Sequence, residues 1–95
     1  MREPAVYIMA NKRNGTLYTG VTSDLSRRVY EHRTKAKAGF ASRYTCTLLV
    51  WYESYERMDE AIAREKQIKA GPRKAKLKLI EAMNPHWQDL YETLA

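Results

Sequence analysis

An Asn-Gly pair set between two short apolar runs constrains this chain more than any other feature. Asn14-Gly15 closes the polar stretch Asn11-Lys12-Arg13-Asn14-Gly15. Asn-Gly is a strong short-range signal for a tight reversal, because both residues tolerate the left-handed backbone that such turns demand. Ala5 to Ala10 precedes it and Thr16 to Val21 follows it, each apolar enough for a strand and too short for a helix. The chain is therefore expected to begin with a β-hairpin. Side chains on a strand alternate between faces, so Tyr7 points away from Val6 and Ile8, and Tyr18 away from Leu17 and Thr19. The apolar neighbours can face the core while the two phenols share the other face, if the register allows it.

The remaining elements follow from their punctuation. Ser23 or Asp24 is a natural N-cap for a helix to about Arg33, and on it Arg28 and His32, four residues apart, lie one above the other. Thr34 to Tyr44 reads as a basic loop with Lys35, Lys37 and Arg43. Thr45 to Tyr55 holds Leu48-Leu49-Val50-Trp51-Tyr52, the most apolar strand and the one expected at the centre of the sheet. A second helix opens at Glu56 or Met58 and closes at Gly71-Pro72. A third takes Pro72 into its first turn and runs to about Met83, where Asn84-Pro85 stops it. His86 to Ala95 is expected as a short terminal helix docking Trp87, Leu90 and Tyr91. The order β-β-α-β-α-α with one sheet gives an α/β (α+β) fold. It is a small three-stranded, mainly antiparallel sheet flanked by helices, in one domain over residues 1–95.

Composition narrows the function classes. A net charge of +6 and a pI near 9.6 point to polyanionic partners. A single cysteine, Cys46, excludes an intramolecular disulfide and a cysteine-rich zinc site. There is no secretory signal and no apolar run approaching the roughly 20 residues that span a bilayer. The chain is expected to be soluble and cytoplasmic, with no membrane partner.

Two phenols, an arginine and a histidine fall within one hairpin and one helix. That set suits a phosphodiester, with cations to hold phosphate and groups beside it able to move protons. Arg28 is the candidate phosphate clamp, since guanidinium meets phosphate oxygens bidentately and keeps its charge. His32 is suited to relaying a proton or orienting a tyrosine; a lone helical histidine is otherwise structural or exposed. Glu65 falls on the inner stripe of the second helix with Met58, Ala61, Ile62 and Ile68. It is the only acid between Arg64 and Lys78, a stretch with seven basic residues. An inward carboxylate is costly unless it is paired or binds a metal. A salt bridge to Arg28 or a lysine, a wet position at the stripe's edge, and a metal site all remain open from spacing alone.

Taken together, Val6-Tyr7-Ile8, Tyr18-Thr19-Gly20 and the following Asp24, Leu25, Arg28 and His32 resemble the GIY-YIG nuclease family, and most closely its small single-domain branch. Val6 stands in place of the family's first glycine and Thr19 in place of the middle isoleucine of the second motif; neither change removes a reacting group. The resemblance selects Arg28 over Arg27 and implies catalytic roles for Tyr7, Tyr18, Arg28, His32 and Glu65. It makes Glu65 the metal ligand and adds Asn84 as a candidate site residue, although helix termination before Pro85 also explains that asparagine. The implied cofactor is one Mg²⁺ (or Mn²⁺) ion. A single carboxylate would hold it weakly until substrate phosphate oxygens join, since Mg²⁺ keeps several waters.

Arg27, Arg33, Lys35, Lys37, Arg43, Lys66, Lys69 and Lys74 fit a phosphate-backbone surface beside the site, some of them as plain solvated faces. The expected activity is metal-dependent endonucleolytic hydrolysis of nucleic acid, DNA ahead of RNA, with repair or branched structures among the candidates. Larger members add further domains, so sequence specificity here should be low or come from a protein partner. The alternative is a non-catalytic module gripping nucleic acid through the same basic face. A weaker one is an interaction protein anchored by Trp51, Trp87 and the tyrosines.

Overall fold

The computed structural model describes residues 3–34 and 46–94. Lys35, Lys37 and Arg43 therefore lie outside the described residues. Strands β1 (Ala5–Ala10) and β2 (Leu17–Thr22) form the expected hairpin, and β1 pairs antiparallel with both β2 and β3 (Leu48–Ser54). Helix α1 spans Leu25–Thr34, α2 Met58–Ala70 and α3 Arg73–Met83. A short 3-10 helix covers Leu90–Leu94. The fold is α+β, and among the described residues three antiparallel strands and three α-helices follow in the order β-β-α-β-α-α.

Local chemistry explains the hairpin. Asn14 takes the left-handed conformation with φ 57°. Gly15 supplies space instead, because a Cβ there would lie 2.0 Å from Asn11 Oδ1. That oxygen accepts the Thr16 N–H at 2.9 Å and closes the loop. Asp24 caps α1: its Oδ1 accepts from Arg27 N–H at 3.3 Å and its carbonyl from Arg28 N–H at 3.0 Å.

The sheet order is β2-β1-β3, which puts β1 at the centre and corrects the expectation for β3. All six residues of β1 are buried, because both faces of the sheet are covered. Val6, Ile8 and Ala10 pack with Val50, Trp51, Ala61, Ile68, Ile80 and Trp87 under α2 and α3. Ala5, Tyr7 and Met9 pack with Leu25, Val29, Cys46 and Leu49 under α1 and the 3-10 helix. The phenol face is thus a second core. β3 is apolar because its faces are covered too, and at its outer edge Leu49 N–H donates to Asp89 Oδ1 at 3.1 Å. Ile62, expected on the inner stripe of α2, is 37% exposed. Ala61, Glu65 and Ile68 form the buried stripe instead, at the i, i+4, i+7 spacing of a helix face.

β3 carries a bulge: Ile8 pairs with Trp51 and Met9 with Leu49, so Val50 is the extra residue. Asn84, just past α3, donates through Nδ2 to Val50 O at 3.2 Å and to Gln88 O at 2.7 Å. Its Oδ1 accepts from Gln88 N–H at 3.0 Å. Trp87 then turns the chain at φ 55°, a strain of roughly 1–3 kcal/mol that burial of its indole offsets. From there the chain passes round β3 to place Leu90, Tyr91 and Leu94 on the opposite core.

Candidate functional site

The register Tyr7↔Gly20 and Met9↔Tyr18 makes the two phenols diagonal neighbours on one face, with ring centroids 6.2 Å apart. Gly20 is what lets Tyr7 lie there: a Cβ at that position would sit 2.5 Å from Tyr7 Oη and 2.6 Å from its Cζ. α1 brings two side chains onto the same ring. Tyr7 Oη lies 2.9 Å from His32 Nε2, and Arg28 Nε donates to Tyr7 Oη over a long 3.4 Å. Tyr18 packs edge-on against the His32 imidazole at 5.3 Å, and its hydroxyl interacts with both Tyr7 and Arg28. The structure therefore gathers Tyr7, Tyr18, Arg28 and His32 into one cluster.

Burial sets the protonation states. Tyr7 is 1% exposed, and its desolvation pushes the phenol up to about 12 against the opposing pull of Arg28. Desolvation, helped by the Arg28 charge and opposed by Glu31, pushes His32 down to about 4. At neutral pH the phenol thus keeps its proton and the imidazole is neutral. Tyr7 Oη and His32 Nε2 share one hydrogen bond, whose direction follows the imidazole tautomer. The hydrogen bonds link Arg28, Tyr7 and His32 in a row.

The cluster opens to solvent on the side of Arg28. A cleft of about 480 Å³ is lined by Val21, Thr22, Ser23, Asp24, Arg27, Arg28, Glu31 and Met58. Glu31 lies between the two arginines, 3.2 Å from Arg28 Nη1 and 3.5 Å from Arg27 Nε. It was not singled out from sequence, although its i+3 and i+4 spacing from the arginines was the available signal. A phosphate reaching Arg28 meets this carboxylate as a competitor.

Glu65 belongs to the other layer, on α2, which packs against β1 and β2 from the opposite face. Its side chain is 11% exposed and pairs with Lys69 Nζ at 2.6 Å. Its partner Lys69 lines a groove of about 310 Å³ at the edge strand β2, together with Lys76, Leu17, Tyr18 and Thr19. Among the described residues no group of three or more His, Cys, Asp or Glu side chains converges on a metal-sized site. One nearly buried carboxylate facing a single cation fits a hard divalent ion that completes its shell with water and phosphate oxygens.

The other basic residues separate. Arg27 is well exposed beside the cleft, and Lys66 and Lys74 are exposed on α2 and α3. Arg33 is instead occupied in docking the C-terminal segment, through an ion pair to Asp89 and a guanidinium 4.7 Å from the Tyr91 ring centre. Asn84 is likewise committed: both ends of its carboxamide bind backbone. Both residues thus have structural partners in the C-terminal segment.

The GIY-YIG catalytic domain model matches residues 3–78, the span that carries the cluster, the cleft and Glu65. This chain belongs to the GIY-YIG family. Its relatives include UPF0213 proteins of Staphylococcus. The one from S. haemolyticus is 39% identical over 85 residues, covering 85% of this chain and 98% of its own length. The one from S. saprophyticus is 36% identical over 75 residues, covering 79% and 90%. The solution structure of a UPF0213 protein from Bacillus halodurans shares the fold, with a TM-score of 0.55, 23% identity and 98% of each chain covered. GIY-YIG proteins are generally endonucleases, typically dependent on a divalent metal, and so act on nucleic acid. The match ends before the C-terminal segment, where Arg33 and Asn84 make their contacts. Among the described residues no helix is long and apolar enough to cross a membrane.

Proposed function

We propose that this chain is a metal-dependent endonuclease with low intrinsic sequence specificity, acting on DNA ahead of RNA. The observation that carries the reading is the Arg28–Tyr7–His32 chain of hydrogen bonds beside an open cleft. A structural histidine needs no arginine on its phenol, and a core tyrosine needs no groove beside it.

Arg28 is held at Nε by Tyr7, which turns the rest of its guanidinium toward the cleft, where it grips the phosphate being attacked. Water attacks phosphorus in line and the bond to the leaving oxygen breaks. Tyr18, half-buried and lining the groove, is the phenol we assign to take the water's proton. Tyr7, with its pKa raised by burial, positions rather than deprotonates. His32 keeps it in place as a neutral hydrogen-bond partner. Glu65 would hold the divalent ion, which when bound supplies positive charge to the leaving oxygen.

The test is incubation with labelled single-stranded, duplex, flap and branched DNA and RNA at low salt with Mg²⁺ or Mn²⁺, for the wild type and Glu65→Ala. Cleavage that disappears in Glu65→Ala while binding persists is expected. Binding without cleavage by the wild type on every substrate would favour the non-catalytic module.

A further inference from the structure

Lys69 stands in two places at once. Its ammonium is 2.6 Å from Glu65 Oε2, and the same side chain lines the groove that Tyr18 borders. Glu65 is 11% exposed and Lys69 52%, so the lysine covers the carboxylate from the solvent side. The order glutamate then lysine at i+4 is the favourable one on a helix. An exposed pair of this kind would be ordinary helix decoration. This one differs because its carboxylate lies on the buried stripe with Ala61 and Ile68, where a charge without a partner is costly. The second lysine of the groove, Lys76, is tied to Gly71 O at 2.8 Å.

We propose that Lys69 is the stand-in cation of the metal site. It holds the Glu65 carboxylate in the free protein and is released into the Tyr18 groove, onto a substrate phosphate, when a divalent ion takes its place. The proposal rests on Glu65 being the metal ligand and adds a positioning residue that couples metal and substrate. A lysine suits this task, because its ammonium is a point charge on a flexible four-carbon stem that can serve two sites in turn. Two consequences follow. Metal must displace the ammonium, so affinity without nucleic acid is lowered by about five-fold, the strength of a modest ion pair. Once displaced, the ammonium adds one phosphate contact, so metal and nucleic acid strengthen each other's binding.

The experiment measures Mn²⁺ binding by electron paramagnetic resonance without nucleic acid, for the wild type, Lys69→Met, Lys69→Arg and Glu65→Ala. In parallel it measures affinity for a non-cleavable phosphorothioate duplex with Mn²⁺ present, as a function of salt. Lys69→Met should bind Mn²⁺ about five-fold more tightly yet bind the duplex about ten-fold more weakly, with a salt slope lower by about one. Lys69→Arg, which retains a cation, should stay near the wild type in both. Urea midpoints for all variants show whether each is folded. Mn²⁺ affinity unchanged or weakened in Lys69→Met, with Glu65→Ala abolishing binding, would overturn the lysine's role and leave Glu65 as ligand. Mn²⁺ binding that Glu65→Ala does not alter would overturn both.

Discussion

At the scale of single residues, the cluster is held by one missing side chain and one missing charge. The missing side chain is that of Gly20. In Gly20→Ala the new methyl would lie within 2.6 Å of Tyr7 Oη and Cζ, and the ring is too buried to swing aside. We expect a loss of about 1–3 kcal/mol in urea unfolding, the usual cost of overpacking, together with slower cleavage because Arg28 loses its tether. The missing charge is that of His32. Its folded pKa, near 4 instead of 6.5, means that between those values the unfolded chain binds a proton the folded one refuses. Stability is then unaffected above pH 6.5 and falls as pH drops toward 4. Between pH 7 and pH 5 the histidine should account for about 2 kcal/mol of that fall. His32→Gln, which cannot titrate, should show a correspondingly shallower decline in urea midpoint.

At the scale of elements, the C-terminal segment is a clasp. Asn84 binds the bulge carbonyl of Val50, Asp89 binds the β3 edge at Leu49, and Arg33 joins α1 to Asp89 and Tyr91. Asn84→Ala should cost about 1–3 kcal/mol by leaving a buried carbonyl unmet, with duplex affinity and its salt dependence unchanged; a loss of cleavage in a protein of undiminished stability would return Asn84 to the site. The residues that were legible in sequence carry local signals: Asn14-Gly15 for the turn, Asp24 for the cap, Gly71-Pro72 for the break between α2 and α3. The central place of β1 and the bulge at Val50 depend on pairings between distant segments, which no local pattern encodes. Ile62 misled because it follows Ala61 by one residue, a rotation of about 100°, and only packing decides which of the two faces inward. Glu65 was legible as an inward acid, but its choice of Lys69 among several lysines was not.

For the molecule as a whole, the sheet keeps two chemistries apart. The proton-sharing cluster lies under α1 and the carboxylate on α2, and the partner of that carboxylate, Lys69, lines a groove at β2. That strand lies at the edge of the sheet, and Tyr18 and Lys69 meet in its groove. The net charge of +6 favours a polyanionic partner without specifying sequence. The central claim is that Arg28 at the cleft holds the phosphate under attack. It is tested most directly by single-turnover cleavage, with affinity measured alongside, for the wild type, Arg28→Lys and Arg28→Ala on the best substrate of the panel. Arg28→Ala should lower the rate about 100-fold or more with a much smaller change in affinity. Arg28→Lys should recover only part of that loss, since an ammonium cannot bind Tyr7 and phosphate in one plane. Wild-type cleavage rates in Arg28→Ala would contradict the account.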